Sequence, residues 1–175
     1  MLKPVKIDKN LTKLLNKQKQ EFERKALLLV KDNTYEPDDS LPSCIIVDID
    51  GTLAIRSDRN WLDFNKSNED LVCAQIKYLT NLTYKDNQIE VIIITGREEN
   101  WREVTKNWLF HNKVLYKELF MRREGDHRPD FIIKQEIFDK EIRDKYKVFF
   151  AIEDLQQVKK MWNGLGIFTL DCSQK

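Results

Sequence analysis

Cysteine is scarce in this chain: Cys44, Cys73 and Cys172 are odd in number, far apart and free of any C-x-x-C spacing. Neither a disulfide framework nor a zinc cluster is suggested, and a reducing, cytoplasmic compartment is the expected home. Glycine and proline are also few, five and four in 175 residues, which excludes collagen-like and Pro/Gly-rich low-complexity chains. Apolar runs stay far below the roughly 18 residues of a membrane helix, and 27–30 is too short even for a signal-peptide core. Net charge is nearly absent, since 30 Lys and Arg stand against 29 Asp and Glu, so no overall field draws in a polyanion. What is present, 41% hydrophobic and 34% charged residues, suits one soluble domain with an appendage and its own core.

The charge is unevenly spread. Residues 1–31 hold nine Lys and Arg against three Asp and Glu, net +6, which leaves 21 against 26, net −5, for the remainder. Within that basic stretch Leu11, Leu14, Leu15, Phe22, Ala26 and Leu29 recur at helical spacings, so an amphipathic helix is expected. Its apolar stripe suits packing on the main domain or on a second copy of the chain, and its lysines suit either solvent or a nucleic-acid backbone. The segment Tyr35 to Pro42, with two prolines and an Asp pair, reads as a linker, dividing the chain into residues 1–40 and 41–175.

Beyond the linker, short apolar runs alternate with helical patterns, the mark of a parallel sheet covered by helices. Strands are expected at Cys44–Ile49, Glu90–Thr95, Val114–Met121, Val148–Ile152 and Gly166–Leu170. Helices are expected near 68–82, 98–112, 131–144 and 154–163. In open sheets ligands bind beyond the carboxyl ends of the strands. The first expected strand runs into Asp48-Ile49-Asp50-Gly51-Thr52, the second into Thr95-Gly96-Arg97, and the fourth into Glu153-Asp154. Side chains at i and i+2 of an extended segment point the same way, so Asp48 and Asp50 are expected to face a common space. Carboxylates gathered this way repel one another unless a divalent cation intervenes, and oxygen-only ligands suit Mg2+.

These residues carry a resemblance. Asp48-x-Asp50-Gly51-Thr52, Thr95, Lys134 and Glu153-Asp154 resemble, in order, the four motifs of the haloacid dehalogenase (HAD) phosphohydrolase superfamily. The runs Thr95-Gly96-Arg97-Glu98, Met121 to Asp130, Lys134 to Phe138 and Ala151 to Asp154 are similar to the 3'-phosphatase domain of phage-type polynucleotide kinase/phosphatases. The chain departs from that pattern in carrying Leu155 where those enzymes commonly have Arg. The resemblance implies a three-layer α/β/α sandwich with a five-stranded parallel sheet of order 5-4-1-2-3, a minimal cap (a flap over 56–65) and the N-terminal helical extension. It implies that Asp48 is the nucleophile of an aspartyl-phosphate mechanism and Asp50 the general acid and base. Thr95 and Lys134 would stabilise the transferring phosphoryl group, with Lys134 oriented by Asp130 four residues earlier. Gly96, Arg97, Arg122 and Asp130 would lie around substrate, and Asp48, Asp50, Glu153 and Asp154 around Mg2+.

The implied substrate is a 3'-phosphate on DNA or RNA, and Trp61 and Phe64 of the flap are candidates to stack on a base. No G-x-x-x-x-G-K-[ST] occurs, so a kinase, or a ligase, would be a separate protein. For a chain of phage origin the compartment would be the host cytoplasm; no membrane contact is expected. Two other readings stand beside this one: a mononucleotide phosphatase, and a catalytically silent module that grips nucleic-acid ends. A receiver domain is disfavoured, because receivers carry their acidic pair first and their acceptor Asp on a middle strand, whereas here the D-x-D comes first and Ile94-Thr95-Gly96 ends the second strand.

Overall fold

The computed structural model describes residues 34–55 and 64–173, preceded by the exposed helical positions Lys17, Glu21 and Arg24. The rest of the expected N-terminal helix, residues 56–63 of the flap with Trp61, and the side chain of Phe64 lie outside the described residues. In chain order the elements are β1 (Ser43–Val47), β2 (Ala54–Ile55), β3 (Leu71–Val72), α1 (Ala74–Lys85), β4 (Ile89–Glu98), α2 (Arg102–His111), β5 (Glu118–Arg122), α3 (Asp130–Glu141), β6 (Lys147–Glu153), α4 (Gln156–Gly164) and β7 (Thr169–Asp171), with 3-10 turns at Phe64–Glu69 and Glu99–Trp101.

Five of the strands form one parallel sheet ordered β5-β4-β1-β6-β7. Read from β7 and counting only its own strands, this is the expected 5-4-1-2-3; the difference in detail is the small hairpin β2–β3, which takes the intervening numbers. The central strands are apolar on both faces, as strands buried between two helical layers must be. Cys44 and Ile46 of β1 join Ile92, Ile94, Phe131, Phe138 and Trp162 in one core, under α3 and α4. Ile45, Val47 and Ile49 join Val91, Ile93, Trp108 and Leu109 in the other, on the side of α1 and α2. Because β1 lies between β4 and β6, the crossovers leave it in opposite directions and open a crevice at its carboxyl end.

The structure adjusts several boundaries. The helix expected from residue 68 starts at Ala74, because Leu71 and Val72 pair antiparallel with Ile55 and Ala54 and the Cys73 amide donates to the Leu53 carbonyl at 2.8 Å. β4 runs past Thr95 to Glu98, and β5 begins at Glu118 rather than Val114. Trp101 falls in the 3-10 turn and is half-buried, while Trp108 of α2 is buried and donates its indole N–H to the Asp70 carbonyl at 2.9 Å. Tyr35, inside the expected linker, is docked on the domain: its hydroxyl donates to the Tyr146 carbonyl at 2.7 Å and accepts the Val148 amide at 3.0 Å. Among the described residues no helix is long and apolar enough to cross a membrane.

Candidate active site

Asp48 follows β1 directly, its amide donating to the Ile152 carbonyl of β6 at 3.1 Å, so the sheet itself sets its position. It has the same alternation as Cys44 and Ile46, which turns it toward α3, the helix that carries Lys134. The Lys134 ammonium is 2% exposed and donates to Asp48 Oδ1 at 2.6 Å and to Glu153 Oε2 at 2.7 Å. Burial pushes the Asp48 carboxyl up to about 8 against the pull of Lys134, and the charges of Glu153 and Asp50 add to the rise. Burial works against the Lys134 cation too, but its two carboxylates outweigh that and hold its pKa above the ordinary lysine value. Glu153 is raised by burial, and its second oxygen, Oε1, accepts the Leu155 amide at 3.1 Å. The expected orienting partner of Lys134, Asp130, is therefore replaced by Asp48 and Glu153.

Asp50 is held differently from Asp48. Arg97, fully buried, forks onto it with Nε to Oδ2 and Nη2 to Oδ1, both at 2.8 Å. The same guanidinium lies 3.6 Å from the buried Asp70 and donates to Thr105 Oγ1 at 3.4 Å. Arg97, expected at the substrate, is here a fully buried guanidinium that forks onto Asp50 and orients that carboxylate. Asp48 and Asp50 thus take different partners, Lys134 and Arg97, while standing near enough for the Asp50 charge to act on Asp48. Thr95 is buried, and its hydroxyl accepts the Arg97 amide at 3.2 Å, leaving its proton to donate.

Arg122, also expected at the substrate, is likewise buried among protein acceptors. Its guanidinium donates to the carbonyls of Gly96 at 2.8 Å, Asp126 at 2.7 Å and Arg128 at 2.6 Å, and also pairs with Asp130. It therefore ties the loop between β5 and α3 to the end of β4 rather than presenting a cation to solvent. Gly96 is needed in this packing, since a Cβ there would come within 2.6 Å of Asp130 Oδ2.

Asp154 completes the acidic end of β6. Burial, then the charge of Asp48, raises its pKa, and its carboxylate rests in the space above Gly51. Gly51 has φ +91°, and a Cβ there would lie 2.1 Å from Asp154 Oδ2. Asp48, Glu153 and Asp154 each offer an oxygen within 4.8 Å of one another. Three carboxylates against one ammonium leave excess negative charge in a buried space, and an all-oxygen donor set of this kind fits a hard divalent cation. The Asp50 carboxylate is outside this group, with both oxygens on Arg97, and the expected contribution of Asp50 to the metal is its backbone carbonyl. Replacing Gly51 by Ala is expected to strain the backbone and push Asp154 aside, weakening Mg2+ binding at least about tenfold in calorimetric titration. An unchanged affinity would show that Asp154 does not hold the ion.

Sequence reading missed Asp70 and Thr105, the further partners of Arg97, and the buried Lys159 of α4. Asp70 was read as part of an ordinary helix, and no motif marks Thr105 or Lys159. Their roles come from neighbours distant in the chain.

Comparison with known proteins accords with this geometry. A family model described as the polynucleotide kinase PNKP phosphatase domain matches residues 42–175. A protein of Autographa californica nuclear polyhedrosis virus, described as a bifunctional polynucleotide kinase/RNA ligase, is 33% identical over 137 residues, 75% of this chain and 19% of the relative. A chain in a solved Pnkp1/Rnl/Hen1 complex superposes with a TM-score of 0.75 at 34% identity, covering 78% of this chain and 47% of that one. A second such structure, of the Pnkp1/Rnl/Hen1 RNA repair complex, gives a TM-score of 0.75 at 35% identity and covers 79% and 45%. The chain thus spans about a fifth of the viral relative and under half of the structural ones. With the family matched over the whole sheet domain and its acidic, lysine and threonine positions gathered at one sheet edge, the chain belongs to the polynucleotide kinase phosphatase-domain family of HAD phosphohydrolases.

Proposed function

We propose that this phosphohydrolase removes 3'-phosphates from nucleic-acid ends, with Mg2+ as cofactor and Asp48 as nucleophile. The observation that carries the reading is the buried Asp48, gripped through one oxygen by Lys134 at 2.6 Å and clustered with Glu153 and Asp154. Mg2+, held by Asp48, Asp154 and Glu153, would supply charge compensation for the phosphoryl group. An Asp48 oxygen attacks phosphorus, the bond from phosphorus to the 3' oxygen breaks, and Asp50 delivers a proton to that oxygen. Asp50 then takes a proton from water as it attacks the aspartyl-phosphate, releasing inorganic phosphate and restoring Asp48. Lys134 balances the negative charge of the transferring group, and the Thr95 hydroxyl and the Gly96 loop donate to its oxygens.

Family membership supports an end of a nucleic acid as substrate, and the names of the relatives support a repair setting with a kinase or ligase acting beside this domain. The test compares a 3'-phosphorylated oligonucleotide with nucleoside 3'- and 5'-monophosphates. A kcat/KM at least tenfold higher for the oligonucleotide is expected; preference for a 5'-monophosphate would favour a mononucleotidase instead.

The raised Asp48 pKa predicts how the metal binds. Below about 8 the metal-free site keeps a proton on Asp48 that the cation must displace, so binding releases protons. Apparent Mg2+ affinity should rise with pH, by up to about tenfold per unit, and level off once pH passes the Asp48 pKa. Calorimetry in buffers of different ionisation enthalpy would report the released proton. A flat affinity between pH 6 and 8 would contradict it.

A further inference from the structure

Beside the active site lies a polar cluster that the reaction does not use. Lys159, on α4, is 5% exposed, although a lysine on a surface helix is ordinarily solvated. A buried ammonium is costly unless its donors are met. Here Nζ lies 2.6 Å from Ser173 Oγ and 2.6 Å from Asp171 Oδ1, at the end of β7. The Ser173 hydroxyl lies 2.8 Å from the Asp154 backbone carbonyl and 2.5 Å from Asp171 Oδ1, which also accepts the Ser173 amide at 2.8 Å. The intervening Cys172 amide donates to the Glu153 carbonyl at 3.2 Å, and its Sγ lies 3.5 Å from Thr52 Oγ1, beside Gly51. The segment after β7 is therefore stitched across the peptides of Glu153 and Asp154, and Lys159 fastens it from below.

We propose that Ser173, Lys159 and Asp171 are positioning residues that fix the Asp154 peptide, and with it the Asp154 carboxylate, for the divalent cation. The proposal rests on the metal reading above. Asp154 is held at two points: its side chain fits the gap that Gly51 leaves, with no room to swing inward, and its carbonyl is held by Ser173. Releasing the second point lets the peptide rotate and take the carboxylate out of line with Asp48 and Glu153. Partners one bond removed from a ligand typically control metal affinity by 10- to 100-fold. Asp171 feels the same cluster, its carboxyl being held well below the usual range by Lys159 first and Ser173 next.

The test is a direct Mg2+ titration by calorimetry on the full chain, paired with thermal unfolding in EDTA. Ser173→Ala, which removes one hydroxyl from an exposed position, is expected to weaken Mg2+ binding about tenfold while leaving the unfolding temperature in EDTA within about 2 °C of wild type. Ser173→Thr keeps the hydroxyl and is expected to restore the affinity. Lys159→Met should weaken binding at least as much as Ser173→Ala, and at saturating Mg2+ the KM for a 3'-phosphorylated oligonucleotide should match wild type in both. Wild-type affinity in Ser173→Ala, or failure of Ser173→Thr to restore it, would overturn the positioning role while leaving the metal site standing. Failure of the wild-type chain to bind Mg2+ would remove both.

Discussion

Asp48→Asn is expected to abolish phosphatase turnover, by on the order of 10^4-fold or more, while the protein stays folded. An amide cannot form the aspartyl-phosphate, and Asp50, held away on Arg97, is not placed to substitute for it. The variant also reports on the cost of the site. The Asp48 carboxyl has its pKa raised to about 8 chiefly by burial, so between its ordinary value and that pH the folded wild type binds more protons than the unfolded chain. Metal-free stability must then fall as pH rises through that window. Asn carries no such charge, so metal-free Asp48→Asn should gain on wild type in unfolding temperature from pH 5 to 8, and Mg2+ should narrow the gap by stabilising only the wild type. Equal pH profiles in EDTA would mean that Asp48 is not the strained carboxylate; residual turnover near wild type would mean that it is not the nucleophile.

Arg97→Ala is expected to cost about 3–5 kcal/mol of stability, the usual consequence of removing one partner of a buried ion pair. Asp70, whose side chain is fully buried, and Asp50, 23% exposed, would both lose the guanidinium. For a chain of this size that is a fall of about 10 °C or more in unfolding temperature. Arg97→Lys keeps the charge but cannot fork onto both Asp50 oxygens, so it separates orientation from stability. Its expected signature depends on the leaving group. A 3' oxygen of a sugar needs the proton that Asp50 delivers, whereas p-nitrophenolate departs without one. Turnover of a 3'-phosphorylated oligonucleotide should therefore drop about 10^2-fold or more, with p-nitrophenyl phosphate hydrolysis much less affected. Equal losses on both substrates would place Arg97 at the phosphate, where the sequence alone had put it.

Side-chain parity and strand ends carried much of this site in one dimension. The run Ile45-Ile46-Val47 followed by Asp-x-Asp-Gly sets a buried strand, an acidic turn and a chain reversal in seven residues, all of it local. Lys134 was legible because it follows the third expected strand at the expected helix start, and Glu153-Asp154 because it closes an apolar run. The partners of the arginines were not legible, for a physical reason. A guanidinium is equally able to grip a phosphate, a carboxylate or three carbonyls, and which of these it meets depends on residues far away in the chain. Arg97 finds Asp50 and Asp70 across 47 and 27 positions, and Arg122 finds Gly96 across 26. The hairpin β2–β3 was hidden likewise, because its two-residue strands are too short for any alternation to show.

By itself the chain's order of residues determined the sheet, its strand sequence and the acidic residues that stand at the sheet edge, because burial periodicity and strand-end position are local properties of a sequence. Tertiary structure alone decided how the charges are paired: Lys134 with Asp48 and Glu153, Arg97 with Asp50, Lys159 with Asp171 and Ser173. Charge pairing is settled by which desolvated groups come within hydrogen-bond reach, and that reach is created only when distant strands and helices close on one another.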